Sequence, residues 1–333
     1  MTRVVRFHEY GGPQVLRIEE LPVVQPGPDE VRIRVRAIGL NRAESMFRRG
    51  QYLEQAVFPS RLGYEAAGHV EAVGANVREF QVGDAVSLVP PSSIAQWGTY
   101  AEQAVVPAAM LVRHPDHLDL HQAAAVWMQY LTAWGALLPV AGLKAGDFVL
   151  ITAASSSVGL AAIQIANRVG AIPIAVTRGE DKVSKLLAAG AAQVIVSDQE
   201  DLVARVTQIT GGDGVRVVFD PIGGPGIEQL AEATRRGGII IEYGALSSEP
   251  SPFPLFTVLG KSLTLRGYLL HEVVHDPALF SQGKAFIISG LEDGSLSPVI
   301  ARTFVFDDIV EAHRYLEAGE QFGKIIVTLE DRP

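Results

Sequence analysis

The stretch "FVLITAASSSVGLAAIQIANRVGA", Phe148 to Ala171, decides how this chain is read. An apolar run, Phe148 to Ile151, leads into small residues and then a continuous helical pattern: strand, tight turn, helix. A dinucleotide-binding turn carries glycines at its first, third and sixth positions. Here those positions hold Ala154, Ser156 and Gly159. A pyrophosphate needs backbone N–H groups and the positive end of a helix, and neither demands glycine. Ser155, Ser156 and Ser157, followed by Val158, leave the approach open, and serine hydroxyls can donate to phosphate oxygens. On the turn alone, a cofactor site and a closely packed strand–helix connection are equally open readings.

Around this stretch, from about Trp127, apolar runs alternate with helical segments. The runs are Phe148–Ile151, Ile172–Val176, Gln193–Val196, Val215–Phe219 and Gly238–Glu242, with helices expected from near Val158, Glu180, Asp201 and Gly226. Continuously apolar strands are covered on both faces, which predicts a doubly wound parallel sheet flanked by helices. The first third is different. In "EVRIRVRAIGL" the apolar Val31, Ile33 and Val35 alternate with Arg32, Arg34 and Arg36, the period of a half-buried strand. Short runs bounded by glycine and proline predict a compact β-rich domain there. After "SLTLRGYLL" (Ser262 to Leu270), the last segment offers strand, helix and strand, with Asp307–Asp308 placed to cap the helix and Gly319 to end it. It resembles the first third, which predicts a split architecture.

Composition narrows the function. The 333 residues suffice for about two domains with real cores. The formal charge of −9, without blocks of like charge, argues against nucleic-acid or anionic-membrane partners. The absence of cysteine excludes disulfides and thiolate zinc sites. Among the eight histidines, His114 and His117 form the tightest cluster, which a loop before a helix explains more simply. We assign no metal. The N-terminus has no signal-peptide core, and the apolar stretch near Leu131 to Leu143 is broken by Pro139, short of the ~18 residues a span needs. A soluble, cytoplasmic protein is expected.

The end of the second strand bears on the cofactor. NAD sites place an acidic residue there for the ribose 2′-hydroxyl. This chain has Thr177, Arg178 and, a little further on, Lys182, which suit a 2′-phosphate and favour NADP(H) over NAD(H). Ordinary solvated charge at a helix start is the competing reading, and Glu180 and Asp181 fit either.

"GLNRAESMFRRGQY", "LGYEAAGHVEAVG", "FQVGDAV", "GTYAEQAVVP", "AAAVWMQYLTAWGAL", "LKAGDFVLITAASSSVGLAAIQIA" and "AHRYLEAGEQFGKIIV" occur in the order and spacing of the medium-chain dehydrogenase/reductase superfamily. Over nearly its full length the chain resembles that superfamily, most closely the zinc-independent quinone oxidoreductase branch that includes zeta-crystallin. The resemblance implies an α/β fold in which a GroES-like β-rich catalytic domain (1–126 and 272–333) carries an inserted Rossmann domain (127–271) binding NADP(H) in the cleft. Zinc enzymes of the superfamily carry a metal cysteine where this chain has Asn41 and a metal histidine where it has Tyr64.

Without a Lewis acid, hydride transfer to a conjugated acceptor is favoured over alcohol–ketone exchange, since the developing charge spreads into an enolate or hydroquinone. The implied reaction is NADPH-dependent reduction of a quinone or an α,β-unsaturated carbonyl. The resemblance places Asn41 and Tyr52 near the nicotinamide, with Tyr64 and Tyr130 as weaker candidates for the same wall and Thr132 beneath the ring. A surface-loop aromatic is the alternative for Tyr52. Tyr243, Gly244 and Ala245 after the fifth strand, with Leu269 and Leu270, are implied at the nicotinamide end. Two departures stand out: Ser156-Ser157 replaces a Gly-Gly pair, and Ser197-Asp198 replaces an aromatic at the adenine end. Family members pair the last Rossmann strand across a two-fold axis, so a homodimer through "SLTLRGYLL" is expected, against an interior strand. A cofactor-binding non-enzyme and an enoyl-thioester reductase are the rival functions.

Overall fold

The computed structural model describes residues 1–330, which fall into two compact units: Met1–Met128 with the segment that begins at Pro298, and Gln129–Ser297. In the second unit every expected apolar run is a strand. Phe148–Ile151, Ile172–Thr177, Gln193–Val196, Val215–Asp220, Thr234–Glu242 and Thr264–Gly267 form one six-stranded parallel sheet. In chain order the strands lie 3-2-1-4-5-6, the Rossmann arrangement, so the direction of winding reverses beside Phe148–Ile151. The cause is visible in the burial. Val149, Leu150, Ile151, Val217, Val218 and Phe219 are all fully inaccessible, so both sheet faces need helical cover.

The helices are Ser157–Arg168, Val183–Ala188, Leu202–Thr210 and Ile227–Ala233, close to the expected starts. Leu202–Thr210 shows how local sequence fixes its ends. Asp201 accepts the Ala204 N–H at 2.8 Å, and Gly211 at φ +66° closes it in the left-handed conformation. Thr264–Gly267 lies at the sheet edge, which removes the interior-strand reading of "SLTLRGYLL".

The helix Pro277–Glu292 belongs to this second unit, whereas the expected boundary at 271/272 assigned it to the first. Close packing explains the difference. A Cβ on Gly283 would lie 2.8 Å from Leu131 Cδ2 and 3.0 Å from Trp134, so glycine lets this helix seat closely on Trp127–Gly135. Arg168 also pairs with Asp293 at 2.6 Å just beyond its end. The other junction falls at 128/129 instead of 126/127. Pro139 sits in a wider turn, Ala136–Val140, that continues the Trp127 helix. Among the described residues no helix is long and apolar enough to cross a membrane.

The first unit is built on a seven-stranded sheet in the order Ile300–Val305, Lys324–Thr328, Glu30–Gly39, Glu65–Val73, Ala85–Leu88 and Leu111–Val112, with Gln103–Pro107 also pairing Glu30–Gly39. The alternation of the long strand is realised: Val31, Ile33 and Val35 are buried, while Arg34 on the other face pairs with Glu71 at 2.5 Å. The chain's end returns to this sheet, as the split architecture requires. Lys324–Thr328 runs antiparallel to Glu30–Gly39 and parallel to Ile300–Val305, with the helix Ile309–Ala318 as the crossover. Asp308 stands at that helix's N-cap position without a side-chain cap bond, and Gly319 at φ +71° ends it.

Candidate active site

In the parallel-sheet unit the candidate residues gather at the carboxyl ends of the strands. The turn after Phe148–Ile151 has its left-handed residue at Ala153, φ +44°, one position before the Ala154 that spacing singles out. An L side chain held there costs about 1 kcal/mol relative to glycine. Gly159 is required by close approach: a Cβ would lie 2.6 Å from the Ala154 carbonyl oxygen. Ser156 is the helix N-cap, its Oγ accepting the Gly159 N–H at 3.0 Å, which leaves its own hydroxyl hydrogen to donate elsewhere. Ser155, Ser157 and Val158 are half-buried around the positive end of this 12-residue helix.

Lys182 reaches back to this turn, its Nζ 3.5 Å from Ser155 Oγ. Thr177 is buried at the end of its strand, and Arg178 beyond it is exposed. Ser197 Oγ donates to the Thr177 carbonyl at 3.3 Å, while Asp198 is exposed. Further along the sheet, Tyr243 stacks on Phe219 with ring centroids 3.9 Å apart. Gly244 passes so close to Pro221 that a Cβ would meet its carbonyl oxygen at 2.8 Å. Gly244 and Ala245 are exposed, as is Leu269, whereas Leu270 and Thr132 are buried. Asp220 and Glu242 are cross-strand neighbours, and Asp220 accepts from Thr152 Oγ1 and the Gly223 N–H. Burial, then the Asp220 charge, raises the Glu242 carboxyl well above the usual range. The buried Tyr130 hydroxyl donates to Gln164 Oε1 at 2.7 Å.

In the β-rich unit, register builds a second cluster. Gly39 faces Ile326 across one strand pair and Glu65 across the other, which brings Lys324, Glu65 and Asn41 together. Lys324 Nζ lies 2.6 Å from Asn41 Oδ1 and 2.6 Å from Glu65 Oε2, with both ions buried. Asn41 Nδ2 donates to the Gly39 carbonyl at 3.0 Å. The Asn41 backbone N–H donates to Glu44 Oε2 at 2.7 Å, fixing the start of the helix Arg42–Arg48. Glu44, wholly buried, also accepts the Tyr64 N–H at 2.9 Å and the Tyr100 hydroxyl at 2.5 Å. Burial raises its carboxyl, and these donors oppose the rise.

Tyr64 donates its hydroxyl to Tyr52 at 3.3 Å, and both rings pack against the core. Tyr52 is therefore no surface-loop aromatic. Burial pushes both phenols up, so the pair stays protonated through neutral pH. The Tyr52 loop is tied to the Ser93–Ile94 loop by Glu54, which accepts from Ser93 Oγ at 2.7 Å and the Ile94 N–H at 2.9 Å. His313 completes the cluster with Nε2 3.2 Å from the Tyr100 hydroxyl. Since that hydroxyl donates to Glu44, the imidazole Nε2–H is the donor and the ring is neutral. Burial pushes its pKa down to about 3.

No motif in the sequence singles out Lys324, Glu65, Glu44 and Tyr100. The available signal was a lysine opening the otherwise apolar "KIIV" strand. The donor set here does not fit a metal: a carboxamide, a phenol bonded to another phenol, and a carboxylate already held by an ammonium. Among the described residues no three His, Asp or Glu side chains are grouped to hold one. A separate cavity of about 680 Å³ in this unit is lined by His69, Asp84, Arg113, His114 and His121, and Arg113 is paired there with Asp84 at 2.5 Å.

The chain matches the alcohol dehydrogenase GroES-like domain over residues 27–116 and the zinc-binding dehydrogenase family over residues 157–282. The quinone oxidoreductase of Pseudomonas aeruginosa is 32% identical over 98% of this chain and 99% of its own. The structure of Escherichia coli quinone oxidoreductase complexed with NADPH superposes with a TM-score of 0.92 at 30% identity, covering 99% and 100% of the two chains. A structure described as an NAD-dependent alcohol dehydrogenase gives a TM-score of 0.90 at 34% identity, covering 98% and 100%. The chain thus belongs to the medium-chain dehydrogenase/reductase superfamily, in its quinone oxidoreductase branch, and is an oxidoreductase.

Two outcomes follow from this geometry. Ala153→Gly relieves the left-handed strain and should raise stability by about 1 kcal/mol in urea unfolding. For His313 the folded pKa, about 3, lies below the unfolded value of about 6.5, so its contribution is complete above pH 6.5 and is lost as pH falls toward 3. His313→Gln should flatten the acid limb of stability between those values, measured as thermal midpoint against pH.

Proposed function

We propose that this protein is an NADPH-dependent reductase of quinones or α,β-unsaturated carbonyls that works without a metal. The observation that carries the cofactor choice is Lys182 standing against Ser155 at the positive end of a helix, with no carboxylate closing the second strand. A phosphate there meets the helix dipole, serine hydroxyls and an ammonium together. The likeness to an NADPH-bound quinone oxidoreductase supports the same choice. Bound NADPH supplies a hydride, two electrons with one proton, to the electron-poor carbon of the acceptor.

The chain's own residues then divide the work. Ser155, Ser156, Ser157, Val158, Thr177, Arg178 and Lys182 hold the phosphates. Thr132, Tyr243, Gly244, Ala245, Leu269 and Leu270 seat the nicotinamide end. Asn41 and Tyr52 hydrogen-bond the acceptor oxygen as charge develops on it, and Tyr64 orients Tyr52 through their shared hydroxyl contact. Since burial keeps both phenols protonated, Tyr52 can donate at neutral pH. Solvent replaces the proton. The enzyme acts as a homodimer, with the edge strand Thr264–Gly267 and the exposed Phe256 and Leu259 of the helix Leu255–Lys261 as its self-contact.

Titration with NADPH and NADH, followed by stopped-flow oxidation with a panel of quinones and enones, tests the reading. Expected are tighter NADPH binding and turnover; binding without turnover would make the protein a cofactor-binding non-enzyme, and stronger NADH binding would reverse the cofactor assignment. Replacing Ser156 and Ser157 with Leu should weaken NADPH binding about tenfold, about 1.4 kcal/mol, with the domain still folded. Unchanged affinity would place the pyrophosphate elsewhere. Light scattering should give twice the chain mass, reduced to one by Phe256→Asp with Leu259→Asp; a monomeric wild type would remove the dimer.

A further inference from the structure

Lys324 is almost wholly inaccessible, at the start of an otherwise apolar strand, and the reaction as proposed gives it no task. An ammonium is costly to bury, and a well-packed apolar pair is often as stable as a buried ion pair. The surroundings are nevertheless shaped to admit it. Gly39 makes the room: a Cβ there would lie 2.7 Å from Lys324 Cε and 3.0 Å from Glu65 Oε2. Glu65 holds the ammonium with one oxygen and accepts the Met128 N–H at 3.1 Å with the other, so its charge is engaged on both sides.

The consequence falls on Asn41. The two ends of a carboxamide have nearly the same shape, so its orientation is decided by its partners. An ammonium only donates, and Lys324 therefore accepts only one orientation, with Asn41 Oδ1 turned toward it. One Nδ2 hydrogen is taken by the Gly39 carbonyl at 3.0 Å. The other has only Glu44 Oε1 at 3.4 Å, long for a hydrogen bond. That N–H, held only by this long contact, is the one that a ligand oxygen can take over. The same ammonium draws electron density toward Oδ1 and so strengthens the N–H as a donor.

We propose that Lys324 is a positioning residue for Asn41. It fixes the carboxamide with its donor edge toward the acceptor oxygen, at a site whose donors do not fit a metal. The proposal rests on the hydride-transfer reading for its kinetic consequence, whereas the orientation of Asn41 can be read without turnover.

The test compares wild type with Lys324→Arg, Asn41→Ala, the pair Lys324→Met/Glu65→Gln, and the pair combined with Asn41→Ala. Removing both ions together avoids a lone buried charge. The pair should fold and bind NADPH within about twofold of wild type, while kcat falls about tenfold to a hundredfold with a smaller change in KM. Added to Asn41→Ala, it should cost nothing more. The Asn41 side-chain amide signal in ¹⁵N NMR, identified by its loss in Asn41→Ala, should shift in the pair and recover partly in Lys324→Arg. Wild-type kcat in the folded pair, full additivity with Asn41→Ala, or an unmoved amide signal would each overturn the proposal. If the pair fails to fold, Lys324→Arg decides by the same signal, which must shift from its wild-type position. If the wild type reduces no quinone or enone, the hydride-transfer reading falls, and the amide signal still decides the positioning.

Discussion

The ion pair between Lys324 and Glu65 is the contact on which the β-rich unit's site depends. It closes across three strands, two from the first quarter of the chain, Glu30–Gly39 and Glu65–Val73, and one from near its end, Lys324–Thr328. Because Gly39 pairs with Glu65 on one side and Ile326 on the other, a slip of one residue in either ladder would move these charges apart. Asn41 is then placed by its bond to Lys324, Glu44 by its bond to Asn41, and Tyr64 and Tyr100 each by a bond to Glu44. The cluster is almost entirely satisfied, which is the condition under which buried polar groups give a single defined arrangement. His313 Nδ1 is an exception, buried without a partner.

The parallel-sheet unit rests on a different constraint, the need to cover both faces of an apolar sheet. That need dictates helices on either side, and the right-handed crossovers carry every helix start to the same end of the sheet. Anion-binding capacity at that end is a by-product of the topology. The serine-rich turn shows how far the glycine pattern can vary. Only Gly159 is demanded by close packing, Ser156 is needed as a cap, and the strained position is occupied by alanine. The helix Pro277–Glu292 shows the opposite case, where one small residue, Gly283, lets an element pack closely within its unit.

The sequence by itself determined the fold class, because the two hydrophobic periods, continuous runs and strict alternation, are local properties. Strand positions in the parallel sheet, the helix starts after it and the split of the β-rich unit were all legible from them. So was the gathering of Ser155 with Lys182, since a strand–turn–helix order places the ends of neighbouring strands side by side. Tertiary structure alone decided the rest. That Tyr52 is packed against Tyr64, that Tyr130 is occupied by Gln164, and that Lys324 lies on Asn41 are facts of residues 12, 34 and 283 positions apart. No local pattern encodes them, because the pairing of distant strands is set by the register of the whole sheet and by the shape of the glycines that let it close.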